Sequence, residues 1–166
     1  VWSIAQDQEG HIWIGTGGGV NRYDGHIFQT LTQEDGIPGN TVMSVYQDQE
    51  NHIWIGTPQG VTCYHSSIPS PPPVFVDSVV ADRRYVDWSE LSVPSHAGII
   101  YFEFHGTNFK TRPGGMAYRY RLKGYDDSWK NTSQRRVEYQ DLPIADYTFE
   151  VMAVDRDLVC SEQPAT

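Results

Sequence analysis

The side chains that could carry out acid–base chemistry or bind a metal stand in two matching sets. Each set holds an Asp, a Glu and a His, spaced two residues apart. Two carboxylates can hydrolyse a glycosidic bond when about 5 to 9.5 Å separate them across a cleft, and His with carboxylates can bind zinc. The sets are Asp7, Glu9 and His11, and Asp48, Glu50 and His52.

The repetition of these sets favours a structural role. An Asp side chain readily bonds its own turn backbone, and both sets begin in an acidic turn, the first being Asp7-Gln8-Glu9-Gly10. We therefore expect turn stabilisation. No Cys or third His joins His11 and His52 in the repeated pattern, so we expect neither a metal site nor a cofactor. Ser44, Asp48 and His52 are not expected to form a triad, because no nucleophile elbow is present.

The elements that position these sets are two copies of one unit. His11-Ile12-Trp13-Ile14-Gly15-Thr16 recurs at 52–57, and Val1 aligns with Val42 without a gap, which gives a period of 42 − 1 = 41 residues. A period of roughly 40 to 50 residues with four short strands is typical of a propeller blade. Strands are predicted at 42–48, 52–57 and 60–64, and at 27–32 to close the first copy. An Asp/Gly/Pro/Asn-rich turn at 35–40 connects the copies.

The tryptophans could stack on a sugar or pack one blade against the next. Trp13 and Trp54 occupy equivalent strand positions, which favours packing between blades. Trp2, near the start of a strand, and Trp129, in a turn, are the freer candidates for exposure.

The second copy stops after three strands, near Tyr64. Two blades do not close a propeller, which needs roughly four to eight. We therefore expect open strand edges and blade faces, and self-association of the isolated chain through residues 1–65. The sequence starts at Val1 in mid-repeat, which indicates a piece excised from a longer protein.

The domain organisation follows from a change of pattern. The blades are predicted at 1–68 and a short proline-rich linker at 69–73. From 74 to 166, strict alternation in the runs 100–105, 118–122 and 147–153 predicts an antiparallel β-sandwich of the immunoglobulin or fibronectin III type. The run 142–147 predicts its tyrosine corner. The fold class is thus all-β, a partial propeller followed by a sandwich.

Most of the aromatic and basic residues of the sandwich are expected to be structural. The tyrosines are predicted as core or corner residues, and the arginines as either a basic face for an acidic partner or a solvated sheet face. They are Tyr118, Tyr120, Tyr125 and Tyr139, and Arg119, Arg121, Arg135 and Arg136.

Composition excludes several classes of partner. The net charge of −9 disfavours nucleic acid, and no Lys/Arg cluster suits an anionic membrane. No apolar run approaches the roughly 20 residues of a membrane span. Cys63 and Cys160 lie in no metal or redox spacing and are interpreted as a buried thiol and a tail thiol.

A family resemblance is carried by Ile53-Trp54-Ile55-Gly56-Thr57 with Gly60-Val61 and Tyr64, a unit that resembles the two-component regulator propeller repeat. The run 118–129, YRYRLKGYDDSW, followed by Tyr139 and Leu142 to Tyr147, resembles the triple-tyrosine (Y_Y_Y) domain. At the corner, Ala145-Asp146 departs from the glycine that such domains commonly carry.

The pairing resembles the sensor of hybrid two-component systems. The resemblance implies a non-enzymatic periplasmic fragment that responds to oligosaccharides, bound mainly by other blades. It also implies that the sandwich dimerises and relays the signal to a membrane helix and a histidine kinase outside this sequence. An alternative is an accessory region of a secreted propeller-type carbohydrate-active enzyme, although no convergent acid, base or nucleophile set supports it. The sequence itself assigns no ligand-binding residue.

Overall fold

The fold consists of antiparallel β-sheets, as expected. The computed structural model describes residues 1–65, 69–86, 90–94 and 98–166. Within these ranges the regular elements are fourteen β-strands and one 3₁₀ turn, Gln33–Asp35. The strands form two sheets of four strands and two sheets of three. The prediction of an all-β chain with a partial propeller and a sandwich is confirmed.

The chain divides into two compact units, and their boundaries do not follow the sequence in a simple way. The first unit contains both blades and also two short segments from the later part of the chain. Its segments are Val1–Ser70, Phe109–Gly115 and Asp155–Val159, and those of the second unit are Pro71–Asn108, Met116–Val154 and Cys160–Thr166.

The first blade is a four-stranded meander in which each strand pairs with the next. Its strands are β1 (Ser3–Gln6), β2 (Ile12–Thr16), β3 (Gly19–Tyr23) and β4 (Phe28–Leu31). The fourth strand, predicted at 27–32, is confirmed. It is followed by the 3₁₀ turn, which the sequence did not predict. Thr32 caps this turn, because its hydroxyl accepts from Glu34 N while its own N–H donates to the carboxylate of Asp35.

The second blade has three strands among the described residues. They are β5 (Ser44–Gln47), β6 (Ile53–Thr57) and β7 (Gly60–Tyr64), in that order. The prediction that the second copy stops after three strands is confirmed. Residues 66–68, at the end of the predicted blade region, lie outside the described residues.

The two β-hairpins that carry the acidic sets have the same backbone conformation. Gly10 has φ +88°, and Asn51, at the equivalent position, has φ +69°. Both are in the left-handed region, which glycine adopts freely and asparagine tolerates better than most residues. The residues that fit this turn position without backbone strain are therefore those that tolerate a positive φ.

The core of the first unit lies between the two blades, as the repeat predicts. Trp13 is 1 % exposed, and Ile55 of the second blade is fully buried. The edge of the Tyr64 ring meets the Trp13 ring, with centroids 5.3 Å apart. The buried members of this core are Trp13, Val20, Leu31, Ile37, Val42, Ile53 and Ile55.

The outward faces of the two blades are open. On the first blade Ile4 is 67 % exposed, and on the second blade Tyr46 and Val61 are 63 % and 65 % exposed. Trp2, expected to be free, is also largely exposed. Apolar side chains on both outward faces confirm the expectation of open blade faces.

The second unit is a sandwich of two antiparallel sheets. One sheet has the order β13 (Arg136–Gln140), β10 (Ile99–Gly106), β8 (Val74–Val80) and β9 (Arg84–Tyr85), and the other has the order β12 (Lys130–Thr132), β11 (Ala117–Lys123) and β14 (Thr148–Val154). The sequence predicted β10, β11 and β14 but named none of the other four strands.

Aromatic residues from both sheets form the sandwich core. Phe102 stacks on Phe149 with centroids 4.1 Å apart, and Phe104 meets Tyr118 edge to face at 5.0 Å. Such aromatic pairs add to the stabilisation that burial alone provides. The alternation predicted for the run 100–105 therefore places Phe102 and Phe104 on the core side of β10.

Two local features of the sandwich can be compared with the sequence. The Tyr147 hydroxyl donates to the carbonyl oxygen of Pro143 at 2.8 Å, which confirms the tyrosine corner.

In the proline-rich segment, expected to be a spacer, Pro72 is buried and its carbonyl accepts a hydrogen bond from Ser161 Oγ at 2.8 Å. The end of that segment is therefore packed within the second unit.

Candidate functional site

A cleft of about 300 Å³ lies between the hairpins of the two blades. Its lining combines carboxylates, amide side chains, one guanidinium and two aromatic rings, which together can hydrogen-bond and stack on a polar ligand. The lining residues are Asp7, Gln8, Glu9, Trp13, Arg22, Gln47, Asn51, Ile53 and Tyr64.

Asp7 organises the first hairpin. One carboxylate oxygen accepts from the backbone N–H groups of Glu9 and His11, at 3.0 and 2.8 Å. The other accepts from Trp13 Nε1 at 2.8 Å. Burial raises the pKa of Asp7, but the hydrogen bonds from Trp13 and His11 outweigh burial, so the net pKa lies below its usual value. The expected turn-stabilising role of Asp7 is confirmed.

Arg22 places its guanidinium in the middle of the first acidic set. The ligand atoms of Asp7, Glu9 and His11 lie within 4.8 Å of one another, a spacing at which three residues could bind a metal. However, Arg22 Nη2 lies 3.1 Å from Glu9 Oε2 and 2.9 Å from His11 Nδ1. The guanidinium also lies over the Trp13 ring, 5.0 Å from its centroid. The first set therefore binds a cation that the protein itself supplies.

The segment Asp155–Val159 completes the first unit at this cleft. Arg22 Nη1 donates to the carbonyl oxygen of Asp157 at 3.1 Å, and the Tyr64 hydroxyl donates to the carboxylate of Asp157 at 2.6 Å. Asp155 holds the segment in a tight turn, because its carboxylate accepts from Asp157 N and Val159 N, both at 2.9 Å. Burial raises the pKa of Asp155.

The second hairpin reproduces the arrangement of the first. Asp48 accepts from the N–H groups of Glu50 and His52, both at 2.9 Å, and from Trp54 Nε1 at 2.8 Å. The hydrogen bond from Trp54 is the largest influence, and it contributes to lowering the pKa of Asp48 to about 2. Ser44 pairs with Gly56 at the far end of this sheet. This pairing is consistent with the expectation that Ser44, Asp48 and His52 form no triad.

The surroundings of the second set differ from those of the first. Trp54 is 40 % exposed, so the expected packing between blades is right for Trp13 and wrong for Trp54. Cys63, expected to be buried, is only partly buried. Its Sγ lies 3.5 Å from His65 Nε2, and the rings of His52 and His65 meet edge to face with centroids 4.5 Å apart. The expectation that no third His joins His52 is therefore wrong, because the ring of His65, the residue that follows β7, lies beside it.

The tyrosines of the sandwich divide into two groups. Tyr118 is fully buried and its hydroxyl accepts from Gly106 N at 3.1 Å. Tyr139 is also buried and donates its hydroxyl proton to Asp126, and burial together with this carboxylate strongly raises the pKa of Tyr139. Tyr120 is partly buried against the core. Tyr125 is 49 % exposed and its ring meets that of the corner residue Tyr147, so of the two predicted alternatives, core or corner, it does not lie in the core.

The four arginines do not form one basic face. Arg119 and Arg121 lie on β11, with Trp129 beneath them at 5.9 and 4.6 Å from its ring centroid. Trp129 is thus partly covered, and Arg121 Nε donates to Glu150 at 2.7 Å. Arg136 belongs to β13 in the other sheet, where it stacks on Tyr101. Arg135 immediately precedes β13. The two sheets therefore separate Arg119 and Arg121 from Arg135 and Arg136, and the alternative of a single basic face is wrong.

Two family models match the chain. The two component regulator propeller model matches residues 1–18 and 36–59. The Y_Y_Y domain model matches residues 110–162. A search of curated proteins gives no match.

Similar solved structures come from B. thetaiotaomicron. The extracellular domain of BT3049, described as a hybrid two component system, is 24 % identical with a TM-score of 0.56. The alignment covers 98 % of this chain and 25 % of that one. The extracellular domain of BT4673 is 17 % identical with a TM-score of 0.46, over 99 % of this chain and 24 % of that one.

The comparisons and the geometry agree on the architecture. The chain spans about a quarter of the length of the solved structures that it matches. Among the described residues, no helix has the length and hydrophobicity that crossing a bilayer requires. Residues 1–18 and 36–59 therefore match the two component regulator propeller repeat, and residues 110–162 match the Y_Y_Y domain.

Proposed function

We propose that this chain is part of the periplasmic sensor region of a membrane-bound two-component system and that the system responds to oligosaccharides. The two modules support the sensor class. The observation that carries the ligand class is the cleft of about 300 Å³ between the blade hairpins, with its polar and aromatic lining. Pockets of roughly this size, with a few convergent polar groups, are the usual form of a small-molecule site.

The charges in the cleft favour a neutral sugar. The carboxylates of Asp7 and Glu9 line it together with one cation, Arg22. Arg22 already bonds Glu9 and the Asp157 carbonyl, so its charge is largely matched within the protein. A sulfated or uronic acid unit would meet a net negative wall, whereas sugar hydroxyls can donate to carboxylates and amides. The cleft accordingly provides a subsite for one or two neutral sugar units, and other blades provide the remainder.

The sandwich is the relay in this proposal. Two copies pair through their sandwiches, and a ligand-dependent change in the pairing reaches a membrane helix and a kinase beyond this chain. Ligand binding can shift such an equilibrium only by its differential affinity for the two states.

The test is the thermal unfolding midpoint of the chain with a panel of neutral and anionic oligosaccharides. A ligand at about 100 times its dissociation constant stabilises the folded state by about 2.7 kcal/mol. We expect an upward shift with a neutral glycan, reduced in Gln8→Ala because this exposed side chain lines the cleft. Gln49→Ala is the matched control, since Gln49 is the equivalent exposed residue of the second repeat. If Gln8→Ala shows the same shift of the unfolding midpoint as the wild type, the sugar subsite lies outside this cleft. If no glycan shifts the midpoint, the proposal of a sugar site in this chain is overturned.

A further inference from the structure

The two repeats carry the same set of Asp, Glu and His side chains, but an arginine lies beside the set in the first repeat only. In the first repeat, His11 Nδ1 and Glu9 Oε2 bind Arg22 Nη2 at 2.9 and 3.1 Å. The position equivalent to Arg22 in the second repeat is Cys63. Arg22 pairs with Trp13 across the sheet, and Cys63 pairs with Trp54 in the same register.

The second repeat keeps the acceptors that surround the guanidinium in the first. His52 Nδ1 lies 3.1 Å from Asp48 Oδ2 and 3.7 Å from Glu50 Oε2. The corresponding distances from His11 Nδ1 are 3.2 Å to Asp7 and 3.3 Å to Glu9. The second set therefore retains its negative charge, but a thiol replaces the cation.

Cys63 and His65 have the spacing of two ligands on one zinc ion. Cys63 Sγ lies 3.5 Å from His65 Nε2. Zinc binds sulfur at about 2.3 Å and imidazole nitrogen at about 2.0 Å, so a tetrahedral ion separates two such ligands by about 3.5 Å. Residues 63 and 65 point to the same face of β7 and its extension because side chains alternate along a strand.

The ring of His52 lies next to that of His65. The two rings meet edge to face, with centroids 4.5 Å apart. Because the carboxylate of Asp48 accepts from His52 Nδ1–H, the Nε2 lone pair is left for a metal. A carboxylate behind the ligating histidine is a common feature of zinc sites and fixes the ring orientation.

We propose that Cys63, His65 and His52 bind a zinc ion, with solvent as the fourth ligand and Asp48 as the residue that positions His52. Binding needs a side-chain adjustment, because within the described residues the three-residue set already at metal spacing is that of Asp7, Glu9 and His11. In that set the Arg22 guanidinium takes the place of the metal. The proposed site is partly exposed, so zinc can enter and leave without unfolding of the blade.

Cobalt substitution of the intact chain tests the site. Bound to a thiolate, Co²⁺ gives an intense charge-transfer absorption that carboxylate or imidazole ligands alone do not produce. We expect this band in the wild-type chain, its displacement by zinc, and its loss in Cys63→Ser. Cys160→Ser is the matched control, because Cys160 belongs to the second unit, and it should keep the band.

Two further variants keep the test sound if Cys63→Ser folds poorly. His65→Ala should lose tight binding, and Asp48→Asn should weaken zinc about 10-fold or more through the orientation of His52. Circular dichroism at the working temperature verifies the fold of each variant. The proposal is overturned if the wild-type chain gives no thiolate band, if Cys63→Ser retains it, or if folded His65→Ala binds zinc as tightly as the wild type.

Discussion

Trp13 and Trp54 donate the same hydrogen bond to equivalent carboxylates, each with a length of 2.8 Å, yet Trp13 is 1 % exposed and Trp54 is 40 % exposed. Trp13 has the second blade against it, whereas no third blade covers Trp54 among the described residues. The pair thus separates the contribution of the local hydrogen bond from that of packing between blades.

Replacing each tryptophan by alanine should measure that separation. Trp13→Ala removes a fully buried ring and should cost about 3 to 5 kcal/mol of unfolding free energy. Trp54→Ala loses the same hydrogen bond but a smaller buried area, so it should cost clearly less than Trp13→Ala. Urea denaturation followed by circular dichroism gives both values. Equal losses would mean that the hairpin hydrogen bond, and not packing, sets the stability of the blade.

Arg22→Met should destabilise the first unit strongly. The substitution leaves Asp7 and Glu9 beside each other without their cation, and removing one partner of a buried ion pair costs about 3 to 5 kcal/mol. Arg22→Lys keeps the charge but not the planar fork, so it should restore part of the loss. Urea unfolding compares the three proteins, and a methionine variant as stable as the wild type would contradict the role of the guanidinium.

Stability should depend on Asp48 in acid. The pKa of Asp48 is about 2 in the folded chain, below the ordinary value of 3.8. The ionised carboxylate therefore stabilises the fold above pH 4, and this contribution is lost as the pH falls through about 2. We expect Asp48→Asn to have a lower urea midpoint than the wild type at pH 6 and the difference to shrink towards pH 2. A difference that is independent of pH would show that Asp48 acts without its charge.

The isolated chain should associate head to tail. Val61 and Tyr46 on the outward face of the second blade are equivalent by repeat to Val20 and Ala5 on the inward face of the first. The outward face of the second blade in one copy can therefore dock on the outward face of the first blade, around Ile4, in another copy. This contact would repeat the one that the two blades make within a single chain.

Light scattering over a range of concentrations measures this association. We expect the wild-type mass to rise with concentration, and Val61→Lys to reduce the rise because it places a charge on the docking face. Ile144→Lys is the control, since Ile144 is 91 % exposed in the sandwich. A monomer at every concentration would contradict association through the blades.

The sequence predicts the fold well because the signals are local. A gapless repeat, with Trp13 and Trp54 in register, predicts the blades, and alternation along β10 predicts the sandwich. Two of the four sandwich strands that were not named are very short. Strand β9 has two residues and β12 has three, which is too short for alternation to be recognised.

The candidate site was less predictable because its contacts are distant along the chain. Arg22 bonds the carbonyl of Asp157, and Cys63 comes opposite Trp54 only when β7 pairs with β6. The identity of Arg22 as the counterpart of Cys63 was nevertheless visible in the repeat alignment. An arginine in one copy and a thiol in the other is the signal that could have directed attention to the second hairpin.

The bond from Tyr64 to Asp157 joins residues 93 positions apart. During synthesis at about 5 to 20 residues per second, Asp157 follows Tyr64 by roughly 5 to 20 seconds. The two blades therefore emerge from the ribosome well before the segment that completes them, with their apolar faces exposed in the meantime. The folding of the first unit therefore finishes only after the strands of the sandwich up to Val154 have been made, and chaperone binding at the nascent blades is a physical expectation.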